Sequence, residues 1–136
     1  MSMEKPMTIF DISGRAMSAQ LVRLNATASN MANAGSISGS KESAYRAIRP
    51  VFTPVTQGPG VATVTVDRVV TSDTPATKRH DPGHPLADAN GDVWEAGVDS
   101  SAELVDMVEA SRMYQNNVQV LQTAKTLMLE TIRLGK

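Results

Sequence analysis

The side chains best suited to chemistry lie in one short stretch, His80-Asp-Pro-Gly-His84-Pro-Leu-Ala-Asp88. Two imidazoles separated by three residues, with carboxylates beside them, have a spacing used by zinc ligands. That spacing brings both rings to one side only on a helix, and Pro82, Gly83 and Pro85 forbid a helix here. The expectation is a proline-stiffened turn capped by Asp and His side chains, holding no metal. Asp88-Ala-Asn90-Gly-Asp92 approaches a calcium loop, but its glycine stands fourth instead of sixth and no Glu stands twelfth. Gly35-Ser-Ile-Ser-Gly39-Ser-Lys41 lacks the spacing of a phosphate loop and has no apolar strand before it. Ser38 and Lys41 match a serine–lysine dyad only by being three apart in a Gly/Ser-rich stretch. No catalytic residue, cofactor-binding residue or metal ligand is assigned.

The elements around that stretch point elsewhere. Two long amphipathic segments occupy the ends of the chain, and six of the seven prolines fall between Pro50 and Pro85. From Thr8 to Asn33 Gly14 is the only glycine, and from Val98 to Leu134 there is neither glycine nor proline. A chain of 136 residues allows one compact domain, or a small domain carrying helical arms. With 13 basic and 14 acidic residues, no nucleic-acid footprint and no general attraction to anionic membranes is indicated. The five aromatic residues are too scattered for base stacking. The absence of cysteine removes disulfides, thiolate ligands and a Cys nucleophile. No basic n-region leads a long apolar run, and no eighteen-residue apolar segment exists, so neither a cleaved signal nor membrane insertion is expected.

The spacing predicts a first helix from about Thr8–Asp11, where Thr precedes an acid by three residues, to Ala34-Gly35. On a helical wheel Phe10, Met17, Leu21, Leu24, Ala28 and Met31 form one stripe, a coiled-coil-like seam, while most other residues are small. A lone helix of this composition is marginal in water, so ordering on assembly is expected. The last helix is expected from Ser100, boxed with Glu103, to Leu134. Tyr114, Val118, Leu121, Met128 and Ile132 form one apolar stripe, and Met113, Val120, Ala124, Leu127 and Leu134 a second beside it. Together they cover far more than a two-helix contact buries, so the first helix covers one and another surface covers the other. The subunit-packing candidates are therefore Met17, Leu21, Leu24, Met31, Met113, Tyr114, Val118, Val120, Leu121, Leu127, Met128, Ile132 and Leu134.

Between the helices the character changes. Ser36–Ser43 is expected as a mobile linker. Tyr45–Val55 and Val61–Val70 are β-branched and predicted as strands about the turn Gln57-Gly-Pro-Gly60. Asn90-Gly91 predicts a hairpin turn, with Trp94 anchoring a small β core. The fold class is α+β: terminal helices paired as a coiled-coil-like bundle, with a small β-rich middle. The expected divisions are 1–35 and 99–136 for the helical domain and 36–98 for the middle region.

Ser18 to Ala34, through Arg23-Leu24-Asn25 and Ala28-Ser-Asn30-Met-Ala-Asn33, resembles the N-terminal signature of the bacterial flagellar rod and hook axial proteins. His84-Pro85-Leu-Ala-Asp88 with Asn90-Gly91, and Met113-Tyr-Gln-Asn-Asn-Val-Gln-Val-Leu121, narrow the resemblance to a basal-body protein of the proximal rod. Its signature residues are Arg23, Asn25, Asn30, Asn33, His84, Pro85 and Asp88. Residues 7–34 and 80–136 carry the resemblance, whereas 36–78 matches in position and character more than in residues. Ala96-Gly97-Val98-Asp99 departs from the family's Pro-Asn-Val-Asp, which implies a different approach to the last helix.

The resemblance implies a structural rod subunit, not an enzyme, with no cofactor and no small-molecule substrate. Its implied partners are copies of itself, other flagellar rod proteins and the flagellar type III export apparatus. It implies export without a cleaved signal peptide to the periplasmic rod of the flagellum basal body, where helix packing between subunits transmits torque. The residues alone also admit a coiled-coil adaptor or secretion chaperone, or a small metal-binding domain using His80 and His84.

Overall fold

The computed structural model describes residues 5–135; residues 1–4 and Lys136, the outermost parts of the two terminal segments, lie outside them. Seven elements follow in order: α1 (Ile9–Asn33), β1 (Ile37–Ser38), β2 (Ile48–Thr56), β3 (Ala62–Thr71), β4 (Thr77–His80), β5 (Asp92–Glu95) and α2 (Ser100–Leu134). The fold is α+β, with the two terminal helices packed along each other and a β-rich middle.

Thr8 opens α1 with a reciprocal box. Its hydroxyl accepts from the Asp11 N–H at 3.2 Å, and the Asp11 carboxylate accepts from the Thr8 N–H at 2.9 Å. The backbone hydrogen bond from Thr8, then its hydroxyl, hold the Asp11 carboxyl below its ordinary value. The start of α2 differs from the sequence expectation. Asp99, not Ser100, is the cap, accepting from the N–H groups of Ser101 at 3.0 Å and Ala102 at 3.2 Å. An ionised carboxylate is the stronger acceptor for these free donors, and Glu103 is thereby released to turn inward, where it is fully buried.

The strands form two antiparallel sheets. β1, β5 and β4 make a three-stranded sheet with β5 in the middle, and β2 and β3 make a separate hairpin. The hairpin turn relies on Gly58 and Gly60, at φ +103° and +77°, a region that glycine enters without steric cost. The stretch expected as a mobile linker is ordered. Ile37 and Ser38 pair with Glu95 and Trp94, the Ala96 N–H donates to the Ser36 C=O at 3.1 Å, and Ser40 and Ser43 bond each other. The central strand supplies a ladder that the Gly/Ser composition alone does not announce. The β core also differs from expectation: Val93 is fully buried and Trp94 only half-buried, because alternation along β5 turns Val93 inward.

Helix α1 lies between α2 and the hairpin, and it shows these neighbours small or polar residues. Its buried positions are Ser13, Ala19, Ala26, Thr27 and Asn30, whereas Phe10 and Leu21 of the expected seam are 37% and 44% exposed. Ser13, Ala16, Gln20, Arg23, Thr27 and Asn30 step by three and four, and so do Glu103, Met107, Ala110, Tyr114, Asn117, Leu121 and Ala124 on α2. All are buried or half-buried. The heptad logic holds, but on a face displaced from the apolar stripe. Small side chains win it because α1 must approach a helix on one side and a sheet on the other.

Gly97 stands at a crowded point on the approach to α2. A Cβ at this position would stand 2.6 Å from the Thr74 carbonyl oxygen and 2.9 Å from that of Pro75. Its N–H donates to the Tyr45 C=O at 3.0 Å, so the chain cannot simply swing away. Gly97→Ala is expected to lower the unfolding free energy by about 1–3 kcal/mol through overpacking. Urea denaturation of the variant checks this; an unchanged midpoint would show that the segment 72–76 yields freely.

Candidate assembly interface

One polar cluster locks the helices and the hairpin into a single unit. Asn30 uses its whole amide. Its oxygen accepts from the Tyr45 hydroxyl at 2.9 Å and the Ile48 N–H at 2.8 Å; its nitrogen donates to the Ile48 C=O and to Glu103 Oε2, both at 3.0 Å. Asn30 therefore pairs with Ile48 as a neighbouring strand residue would, and reaches α2 as well. Glu103, fully buried, is neutralised by the Arg49 guanidinium, whose Nη2 meets Glu103 Oε1. The hydrogen bond to Glu103 raises the Arg49 pKa further. Arg49 also stands 3.7 Å from Asp106, and Arg23 spans Asp106 and Glu109 at 3.1 Å each. A buried carboxylate is tolerated only when paired and hydrogen-bonded in this way.

Outside this cluster many large apolar side chains of α2 stand exposed. Met113, Val120, Leu127 and Leu134, seven residues apart, are 44%, 41%, 58% and 87% exposed. They form an open row along α2 beside the half-exposed Ile9, while Ala124 of the same stripe is buried against α1. In the other stripe Tyr114, Val118 and Leu121 are half-buried, whereas Met128 and Ile132 lie exposed on the last turns of α2. On α1 Met17, Leu24 and Met31 are half-buried and Leu21 is exposed. A second patch, Leu104, Val105 and Val108, sits on the first turns of α2. Its spacing of one, three and four residues was a legible signal that the stripe assignment passed over. Glu103, Arg49 and Tyr45 were also missed as a group, since nothing local connects them.

The other signature residues have local duties. Asn33 donates to the Ser29 C=O at 2.8 Å near the end of α1, while Asn25 is exposed. Asp88 Oδ1 accepts from the N–H groups of Asn90 and Asp92, at 2.8 and 2.9 Å, and Gly91 completes the turn at φ +78°. His84 Nδ1 accepts from the Leu86 N–H at 3.1 Å, Pro85 is exposed, and His80 Nδ1 lies 2.9 Å from Asp92 Oδ1. That bond to His80 is the main cause holding the Asp92 carboxyl below its ordinary value. The two imidazoles thus serve separate contacts, and among the described residues no group of three metal-capable side chains converges.

The chain has close relatives in sequence. A flagellar basal-body rod protein FlgC of Salmonella typhimurium is 48% identical over 132 residues, covering 96% of this chain and 98% of its own. The chain belongs to the FlgC family of flagellar basal-body rod proteins. Members from Escherichia coli O157:H7 and from Buchnera aphidicola subsp. Baizongia pistaciae are 48% and 30% identical over 132 and 133 residues, covering 96% and 94% of the chain and 98% and 96% of their own. Residues 10–35 match the family described as "Flagella basal body rod protein", and residues 89–134 match "Flagellar basal body rod FlgEFG protein C-terminal". The first match covers α1 and the second covers β5 and α2, so both helices that carry the open rows lie within the matches. Among the described residues no helix is long and apolar enough to cross a membrane.

Proposed function

We propose that the chain is a non-enzymatic structural subunit of the flagellar rod, placed in the periplasm and exported by the flagellar type III apparatus without a cleaved signal. In this reading 1–35 and 99–136 form the inner helical part and 36–98 the outer, β-rich part. The observation that carries the reading is the row Met113, Val120, Leu127 and Leu134, left open along α2 in a member of this family. A row with seven-residue spacing is what a neighbouring helix buries, and each fully buried Leu, Val or Met contributes about 1.5–3 kcal/mol. Copies of the chain and other rod proteins would supply the cover, with Met17, Leu21, Leu24, Met31, Val118, Met128 and Ile132 completing the packing surface, while Tyr114 and Leu121 pack the helix pair within the subunit.

Torque would enter through these helix contacts. The Asn30–Glu103–Arg49 cluster ties α1, α2 and β2 together, so load applied to the helices reaches the β-rich part without slippage. Deleting the chain from its host is expected to abolish rod completion and swimming, with the protein found in basal bodies purified from the parent. Basal bodies complete without the chain would overturn the reading.

A further inference from the structure

The chain contains no cysteine, so its sulfur chemistry is that of the methionine thioether, a group that peroxides oxidise. Of its eight methionines, Met1 and Met3 lie outside the described residues. Met7, Met17, Met31 and Met107 are half-buried, Met107 on the face that α2 turns to α1. Only Met113 and Met128 are exposed, at 44% and 54%.

Both exposed thioethers stand on apolar surface that the subunit itself leaves uncovered. Met113 heads the row continued by Val120, Leu127 and Leu134. Met128 lies between Leu127 and Leu129, just past Ala124, the last buried residue of α2. From Lys125 to Leu134 every residue of the helix is exposed.

Hydrogen peroxide oxidises such a group by a two-electron step. A sulfur lone pair attacks one peroxide oxygen and the O–O bond breaks. The sulfur keeps that oxygen as a sulfoxide, and its proton passes to the departing hydroxide, which leaves as water. The product is polar and chiral where the thioether was apolar and flexible. On the free subunit water solvates the sulfoxide, so the fold loses nothing. Beneath a covering helix the same oxygen is stripped of water against Val120, Leu127 and Ile132, and an unpartnered polar group opposes the contact. The side-chain donors three and four residues away are Asn116 and Asn117 for Met113, and Lys125 and Thr131 for Met128. Asn117 and Thr131 already donate to the C=O of Met113 and of Leu127, at 2.8 Å each. Satisfying a sulfoxide from Asn116 or Lys125 would draw an exposed polar head under the covering helix.

We propose that Met113 and Met128 form a reversible oxidation site that controls whether the free subunit can join the rod. Peroxide converts both thioethers in the free subunit, the sulfoxides keep the open rows from being covered, and a finished rod shields its own methionines. A thiol-dependent methionine sulfoxide reductase restores the thioether: a pair of thiols becomes a disulfide, and the oxygen leaves as water. The role of the site rests on the rod reading above.

Mass spectrometry after a pulse of hydrogen peroxide counts the oxygen added at each methionine. In the purified free subunit Met113 and Met128 are expected to oxidise at least about fivefold faster than Met17, Met31 and Met107. In purified basal bodies the same two are expected to oxidise at least about tenfold more slowly than in the free subunit. Met113→Gln with Met128→Gln places an amide where the sulfoxide would stand; it is expected to keep the urea midpoint of the free subunit and lose incorporation. Met113→Leu with Met128→Leu conserves volume without the sulfur. This pair is expected to assemble normally, and to go on assembling in cells where the chain is induced under peroxide while the parent does not. Should the Gln pair fail to fold, the wild-type oxidation rates and the Leu pair still decide. Equal rates at all methionines of the free subunit, unshielded oxidation in rods that contain the chain, normal incorporation of the Gln pair, or peroxide-blocked assembly of the Leu pair would each overturn the proposal while leaving the rod reading intact. Basal bodies lacking the chain would remove both.

Discussion

Asn30→Asp is expected to destabilise the subunit by roughly 3–5 kcal/mol, the largest effect of any isosteric change on the chain. The amide nitrogen of Asn30 donates to the buried Glu103 and to the Ile48 C=O. An aspartate there replaces two donors by an acceptor and sets two carboxylates about 3 Å apart in a site without water access. Arg49 is already engaged with Glu103 and Asp106, so it cannot neutralise a third carboxylate. For a domain of this size the melting temperature should fall by on the order of 10 °C. The sign of the pH dependence follows. The new carboxyl has a folded pKa raised by Glu103, so the penalty is full at neutral pH and shrinks as pH falls toward the ordinary carboxylate value of about 4. Thermal melts of the purified variant between pH 4 and pH 7.5 measure both. A melting temperature equal to wild type at neutral pH would show that the cluster is not what joins α1 to α2.

Leu127→Asp and Leu121→Asp are expected to fail in different places. Leu127 is 58% exposed on the open row, so an aspartate there should change subunit stability by less than about 0.5 kcal/mol. In the rod the same change buries an unpaired charge in every copy, and swimming should be lost. Leu121 is half-buried on the face turned to α1. Its replacement should cost the free subunit about 1–3 kcal/mol before assembly begins. Urea denaturation of the two purified variants, with motility of strains carrying each, separates the cases. Normal swimming with Leu127→Asp would remove the open row from the assembly surface.

The contrast between these two leucines shows how far a sequence carries. Both sit on α2, both are apolar, and both belong to stripes that the wheel identifies. The length of α2, its termination at Leu134, the α+β class and the two strands around Gln57-Gly-Pro-Gly60 were legible, because proline and glycine placement and residue periodicity are local properties. The turn expected over His80–Asp88 was legible in part for the same reason: His84 and Asp88 bond backbone groups within four residues, whereas His80 ends β4.

The face that α1 shows to α2 was not legible. Hydrophobic periodicity selected Phe10, Leu21 and Met31, but the helix buries Ser13, Ala19, Ala26, Thr27 and Asn30. Periodicity locates the most apolar side of an isolated helix, whereas burial is decided by how closely the neighbours approach. Glu103 repeats the point. Its spacing from Ser100 suited a capping box, and only the arrival of Arg49 and Asn30, 54 and 73 residues away in the chain, turned it into the buried centre of the subunit. The sequence by itself determined the two terminal helices, the β2–β3 hairpin, and that more apolar surface exists than one chain can bury, but not β1, β4 or the cap of α2. The tertiary structure decided which of that surface stays open. Ionic and amide partners distant in sequence drew α1 onto a small, polar seam, and close packing there left the larger side chains on the flanks.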